Sequence, residues 1–197
     1  YIPDMGPEGL NEFSRYFYPQ LDKEGLIIDD RANGVGNVSP MILERLSREP
    51  YRLTMRRGSS LIGTVPDAVQ VGPKVCLINK YSASDGDLFP WGFRALGLGK
   101  LIGTRTWGGI IGISGPLPYM DGTDIRVPFF TSYDPKTGNW IIENHGVDPD
   151  ILIDNDPIKE WNGEDQQLDR AIEEVMKQLK ERKPLAPVPA PRDWSHK

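Results

Sequence analysis

The segment Ser84-Asp85-Gly86-Asp87 follows the apolar run Val75-Cys76-Leu77-Ile78 at a short interval and opens a stretch with helical apolar spacing. A hydroxyl between a β-strand and the N-terminus of the next helix is exposed, held by a sharp turn and surrounded by unpaired backbone N–H groups. The chemistry suited to such a place is attack on a carbonyl carbon. The Asp85 amide would then lie beside the attacked carbonyl, and the glycine turn Gly34 to Gly36 offers a second N–H. Two such donors make an oxyanion hole, each typically worth about 3 to 4 kcal/mol in the transition state. A serine also needs a base, and the base needs an orienting partner. His145, two residues from the acid Glu143, is the residue to weigh as a local base, and no base is assured in this chain. Glu143 and His145 would share a face if both lay on a strand, but His145 reads better as the loop residue that ends it. The same residues also suit a plain N-cap with first-turn acids matching the helix dipole, and spacing alone favours that plainer reading.

The elements that would hold these groups are legible from periodicity. Leu10, Phe13 and Phe17 recur at helical spacing behind Pro7, predicting an amphipathic helix over 7–18. Leu26-Ile27-Ile28 reads as a strand, Asn33-Gly34-Val35-Gly36 as a tight turn, and Ser39-Pro40 as N-cap and first helical residue. The run from Val75 to Asn79 repeats the pattern, followed by a helix from Ser84 that ends near Gly97. Two strand-turn-helix units imply parallel pairing. A third strand is expected over Lys100 to Arg105, then glycines at 108, 109, 112 and 115. Shorter strands are expected at Leu117–Met120, Asp124–Phe130 and Asn139–Glu143, the first two joined by a type I′ turn at Asp121-Gly122. The expected sheet is therefore mixed. Leu168, Ile172, Val175, Met176 and Leu179 mark a helix of about four turns, and Pro184, Pro187, Pro189 and Pro191 an extended tail. The implied organisation is one domain over residues 1–183 and a Pro-rich tail over 184–197.

Composition narrows the partners. A chain of 197 residues with a formal charge of −5 lacks the cationic excess a duplex nucleic-acid binder needs. The basic stretch Arg45 to Arg57 is diluted by Glu44 and Glu49 and reads as a solvated face. One cysteine, Cys76, sits in an apolar run and behaves as a small buried hydrophobe. No metal spacing is present, so no cofactor is expected, and no apolar stretch is long enough to span a bilayer. The lone cysteine leaves the compartment open, leaning to the cytoplasm. The chain opens Tyr1-Ile2-Pro3 without an initiator Met and reads as a piece of a longer polypeptide.

Four ordered segments carry a resemblance: Ile2-Pro3-Asp4-Met5-Gly6 with Asp29-Asp30-Arg31-Ala32-Asn33-Gly34-Val35-Gly36, then Tyr81-Ser82-Ala83-Ser84-Asp85-Gly86-Asp87, then Gly103-Thr104-Arg105-Thr106-Trp107-Gly108-Gly109, and Ile142-Glu143-Asn144-His145-Gly146-Val147-Asp148-Pro149-Asp150. Over about residues 1 to 180 the chain resembles the tricorn branch of the C-terminal-processing serine peptidases, family S41. The resemblance implies an α/β crotonase- or ClpP-like ββα superhelix with a mixed sheet and a C-terminal helix. It implies hydrolysis of peptides or unfolded polypeptides, with Ser84 as nucleophile, Glu143 as the acid, and Gly36 and Asp85 as oxyanion-hole residues. Val35 stands where the family has a glycine, so the donor of that turn is assigned to Gly36 provisionally. The family's histidine base and its neighbouring serine lie upstream, in domains that would precede this chain, so the site would be half present here. A homo-oligomer is also among the partners the resemblance suggests. Arg31, Asn33 and Trp107 are left outside the catalytic set: the first two organise the turn, and Trp107 reads as core or as a peptide contact.

Two other readings compete. A ligand- or peptide-binding module on the same fold would not need both Ser84 and Glu143. Crotonase-type chemistry on acyl-CoA thioesters uses a comparable pair of amides, but the Ser-Asp-Gly-Asp segment favours a peptidase.

Overall fold

The computed structural model describes residues 1–113, 117–183 and 185–190; Gly115, Pro184, Pro191 and His196 lie outside them. Pro7 sits in the first turn of helix α1 (Pro7–Phe17), whose Phe13 and Phe17 stack with centroids 4.8 Å apart on its buried side. Strand β1 (Leu26–Asp29) leads through the glycine turn into α2 (Ser39–Leu46). A hairpin of β2 (Arg52–Met55) and β3 (Ile62–Val65) precedes β4 (Lys74–Ile78), α3 (Asp85–Ala95) and β5 (Gly99–Gly103). Short strands β6 (Gly112–Ile113), β7 (Leu117–Pro118), β8 (Asp124–Ile125) and β9 (Pro128–Phe130) follow. Strand β10 (Ile151–Leu152), α4 (Pro157–Trp161) and α5 (Gln166–Glu181) complete the order.

The central sheet has the order β1-β4-β5-β10, with every pair parallel. Strand β4 is buried along its whole length, as a central parallel strand covered on both faces must be. Its side chains alternate between two cores. Cys76 and Ile78 join Leu101, Phe89, Phe93, Ile42 and the α1 phenylalanines on one face. Val75 and Leu77 meet Ile102, Ala171 and Val175 of α5 on the other. Each large apolar side chain removed from water this way contributes about 1.5 to 3 kcal/mol, so strands β4 and β5 anchor everything that follows them.

The mixed sheet expected from the sequence is not found. The antiparallel pairs β2–β3, β6–β9 and β7–β8 are separate two-stranded ribbons, because the chain leaves the sheet at Gly103, with φ +130°, and only β10 returns, parallel to β5. The turn between β7 and β8 has a single left-handed residue, Gly122, so it is not the expected type I′ pair. Residues 139–143 form no strand: one bridge joins Tyr133 to Trp140, and Ile142 at φ 22° turns the chain over. Ser39 is the first helical residue of α2 rather than its cap. The apolar stripe of α5 splits, with Ala171 and Val175 buried while Leu168, Ile172 and Met176 stay exposed.

Candidate active site

The loop between β4 and α3 is held from below. The Ser82 Oγ donates to the Asp30 carbonyl at 2.8 Å, and the Ala83 amide donates to the Asn33 carbonyl at 2.8 Å. Ser84 then caps α3 with φ 57° and ψ −117°, a conformation that costs a non-glycine residue of order 1 to 3 kcal/mol. Ser84 is half-buried, and its carbonyl accepts from the Asp87 and Leu88 amides. The Asp85 amide donates no hydrogen bond among the described residues. Ser84 shares its positive φ with Ala32, just before the glycine turn, and with Ile142 and Asn144 on either side of Glu143. Strain of this kind persists only where the surroundings over-determine it.

The glycine turn is fastened to the same loop. Gly36 bridges to Met5, whose carbonyl accepts from Asn37 and Val38; a Cβ on Gly36, at φ +149°, would overlap that carbonyl. Gly86 is equally constrained, since a Cβ there would overlap the Asn33 carbonyl. The buried Asp85 carboxylate then reaches across to α2, accepting from the Ser39 amide at 2.9 Å and the Ser39 hydroxyl at 2.5 Å. Asp85 thus supplies the N-terminal cap of α2 from 46 residues away, a role spacing did not reveal. Gly36 itself is exposed, and its amide donates to no described residue. The structure therefore brings Ser84, Asp85 and the Gly36 turn into one rigid corner.

Glu143 arrives from a different direction. It lies in a tight turn, half-buried, not on a strand. Its Oε2 accepts from the Ile110 and Ile111 amides at 2.7 and 2.8 Å. The preceding residues of that segment, Gly108 and Gly109, donate to the Asp87 carboxylate at 2.8 and 3.3 Å, and the Trp107 amide donates to the Ser82 carbonyl at 2.9 Å. Segment 107–111 so connects the α3 start to Glu143, although no hydrogen bond joins Glu143 to Ser84 among the described residues. Burial pushes the Asp87 carboxyl up from its ordinary value, against hydrogen bonds from Thr106 and the glycine amides that pull it down.

The remaining candidates fall away from Ser84. His145 is exposed; its Nε2 lies 2.8 Å from Asp148 Oδ2 and its Nδ1 3.5 Å from Arg105. That contact with His145 draws the Asp148 carboxyl below its ordinary value, helped by Arg105. Arg31 is clamped between Asp29 at 2.7 Å and Asp165 at 2.8 Å, tying the end of β1 to the cap of α5. Burial acts to raise the Asp165 carboxyl, but Arg31, the Leu168 amide and Asn155 together outweigh it and hold the group at about 2. Trp107 is 66% exposed, so it is not core. Cys76 is buried and its thiol is pushed well up by that burial. No group of three or more His, Cys, Asp or Glu side chains able to hold a metal occurs among the described residues.

Comparison with known proteins identifies the family. The family model for peptidase family S41 matches residues 2–153. The tricorn protease of Thermoplasma volcanium is 42% identical over 183 residues, which is 93% of this chain and 18% of that protein. The tricorn protease of Thermoplasma acidophilum is 42% identical over 180 residues, 91% of this chain and 17% of its own length. A crystal structure of the tricorn protease superposes with a TM-score of 0.83 at 41% identity, covering 91% of this chain and 17% of that one. The photosystem II D1 C-terminal processing protease, at a TM-score of 0.56 and 22% identity over 77% of this chain and 41% of that one, shares the fold. The chain spans under a fifth of the length of the tricorn relatives it matches, and by the family model and these identities it belongs to peptidase family S41.

Proposed function

We propose that this chain is the nucleophile-bearing part of a serine peptidase. Ser84 Oγ attacks the carbonyl carbon of a peptide bond while a base takes its proton; the C–N bond then breaks, the amine leaves with that proton, and water hydrolyses the acyl ester. The amides of Asp85 and Gly36 receive the oxyanion, each worth about 3 to 4 kcal/mol, and Glu143 is the acid of the constellation. The observation that carries this reading is the strained Ser84 beside the uncommitted Asp85 and Gly36 amides, locked together by the Asp85–Ser39 and Asn33–Ala83 contacts.

His145 is engaged with Asp148 and Arg105, so the base is assigned to upstream domains of the same polypeptide, together with the serine that orients it. The short span of the chain against its tricorn relatives supports this division. The substrate class is peptide or unfolded polypeptide, and the catalytic unit is placed over residues 1–183 as a crotonase- or ClpP-like ββα superhelix, in keeping with its repeated strand-turn-helix units. The Pro-rich tail over 184–197 is then an appendage; residues 186–189 line a cavity with Leu53, Met55 and Ile62 of the β2–β3 hairpin.

The test is hydrolysis of a fluorogenic peptide by the longest natural polypeptide containing this chain. Ser84→Ala should abolish turnover, and Glu143→Gln should lower kcat while the two amides on Glu143 stay paired. Undiminished turnover in Ser84→Ala would end the nucleophile assignment, and binding without turnover in the wild type would favour the binding-module reading.

A further inference from the structure

Asp30 is fully buried at the end of β1, directly under the loop that carries Ser84. Its backbone is fully employed: the amide donates to Leu77, and the carbonyl accepts from Ser82 Oγ and the Asn33 amide. Its side chain is not. Both carboxyl oxygens and the Oδ1 of buried Asn33 have no donor among the described residues. The Asn33 Nδ2 is turned to the Ile2 carbonyl at 3.1 Å, which fixes the amide's orientation.

A carboxylate here would face only negative or neutral groups. Asp29 adjoins it on β1, Asp85 and Asp87 of α3 are near enough to add like charge, and Cys76 lies across on β4. The guanidinium of the next residue, Arg31, is committed to Asp29 and Asp165. Burying an unpaired charge costs far more than burying a neutral acid, and three orphaned acceptors in one spot are costly in any case. A single proton resolves both problems by turning an acceptor into a donor.

We propose that Asp30 is held as a neutral carboxylic acid whose proton makes the hydrogen bond to the Asn33 side chain, making Asp30 a positioning residue for the glycine turn. Asn33 is the hub of that corner, since its carbonyl holds the Ala83 amide and its amide group holds Ile2. Ionising Asp30 removes the donor and adds repulsion from Asp29, Asp85 and Asp87, loosening the turn that presents Gly36. This consequence for the oxyanion hole rests on the peptidase reading; the protonation state does not. Burial, with Asp29 next, pushes the Asp30 carboxyl well above its ordinary value, against the neighbouring Asn33 side chain, which acts to lower it.

The sign follows from linkage. The native state binds the Asp30 proton more tightly than the unfolded chain, whose aspartate titrates near about 4. The stabilisation is therefore complete below that pH and is lost as pH rises through the native value. Asp30→Asn keeps a neutral donor and cannot ionise. Urea unfolding of wild type and Asp30→Asn from pH 5 to 8 should show the ratio of their unfolding constants rising toward wild-type instability, about tenfold per pH unit until the native group titrates. A ratio constant within about twofold per the same scale would overturn the proposal. Infrared spectra of the folded wild type at pH 7 should also show a protonated carboxyl band that persists in Asp87→Asn and vanishes on unfolding; no such band would overturn it without any variant at Asp30. In the longer polypeptide, wild-type hydrolysis should lose an alkaline limb that Asp30→Asn retains. Hydrolysis with the same alkaline limb in both proteins would overturn the positioning role, whereas no hydrolysis at all, with the unfolding and infrared results as expected, would count against the peptidase reading and leave the neutral acid standing.

Discussion

Removing the Asp85 carboxylate should destabilise the chain far more than neutralising it. In Asp85→Ala the Ser39 amide and hydroxyl, both buried, lose the partners they hold at 2.9 and 2.5 Å. A buried donor left unsatisfied costs about 1 to 3 kcal/mol, and loss of a helix N-terminal cap costs about 0.5 to 2 kcal/mol; these overlap at the Ser39 amide. The sum for the two donors is about 2 to 6 kcal/mol, a change of roughly one and a half to four decades in the unfolding constant. Asp85→Asn keeps one carbonyl oxygen for the Ser39 amide, and its NH2 can donate to the Ser39 hydroxyl oxygen, so its cost should stay near about 1 kcal/mol, the difference between a charge-assisted and a neutral hydrogen bond. Urea unfolding with matched slopes reads both numbers. Because the Asp85 backbone amide survives in each variant, any loss of hydrolysis in the longer polypeptide should track displacement of the Gly36 turn. A cost under about 1 kcal/mol for Asp85→Ala, or equal damage from Asn and Ala, would refute the idea that this carboxylate clamps the two turns.

Other consequences can be measured on the same chain. Ser84→Gly should raise stability by about 1 kcal/mol in urea unfolding, because glycine relieves the positive φ that serine tolerates only under constraint, while the proposed nucleophile is lost. Gly36→Ala should destabilise by more than about 2 kcal/mol, since its Cβ has no room beside the Met5 carbonyl, and should abolish hydrolysis. Acidification should weaken the fold as Asp165 and Glu174 take up protons. Arg31, working against burial, holds the first at about 2, and Lys100 chiefly holds the second there. Both lie below their unfolded values, so their contribution is present above about pH 4 and is lost as pH falls toward 2. Arg31→Met should flatten the part of that acid limb owed to Asp165, which circular dichroism between pH 5 and 2 would register.

Local chemistry made the frame of the site readable. The apolar run Val75–Ile78 and the helical spacing after Ser84 place a hydroxyl at a strand–helix junction whatever surrounds it, and Asn33-Gly34-Val35-Gly36 announces a turn. What spacing left hidden depends on partners distant in sequence. Glu143 follows Trp140-Ile141-Ile142, a pattern that suits a strand, but the chain must turn there to deliver the carboxylate to Ile110 and Ile111. Asp85 reads as a first-turn acid of its own helix, yet its carboxylate serves α2. Asp30 follows Asp29 in an acidic pair, and nothing in the pair tells that Asp29 meets Arg31 while Asp30 is sealed beneath the loop. The parallel character of the sheet was half visible in the repeated strand-turn-helix units, whereas β10 contributes two residues to the sheet, too few to show a period.

The central claim is that Ser84 Oγ is the nucleophile, and fluorophosphonate labelling with peptide mapping by mass spectrometry tests it most directly. In the longest natural polypeptide containing this chain, a single adduct should map to the peptide bearing Ser84 and disappear in Ser84→Ala, and the chain alone should stay unlabelled for want of a base. An adduct on another residue that survives Ser84→Ala would contradict the account, as would a longer polypeptide that cleaves peptides yet never modifies Ser84.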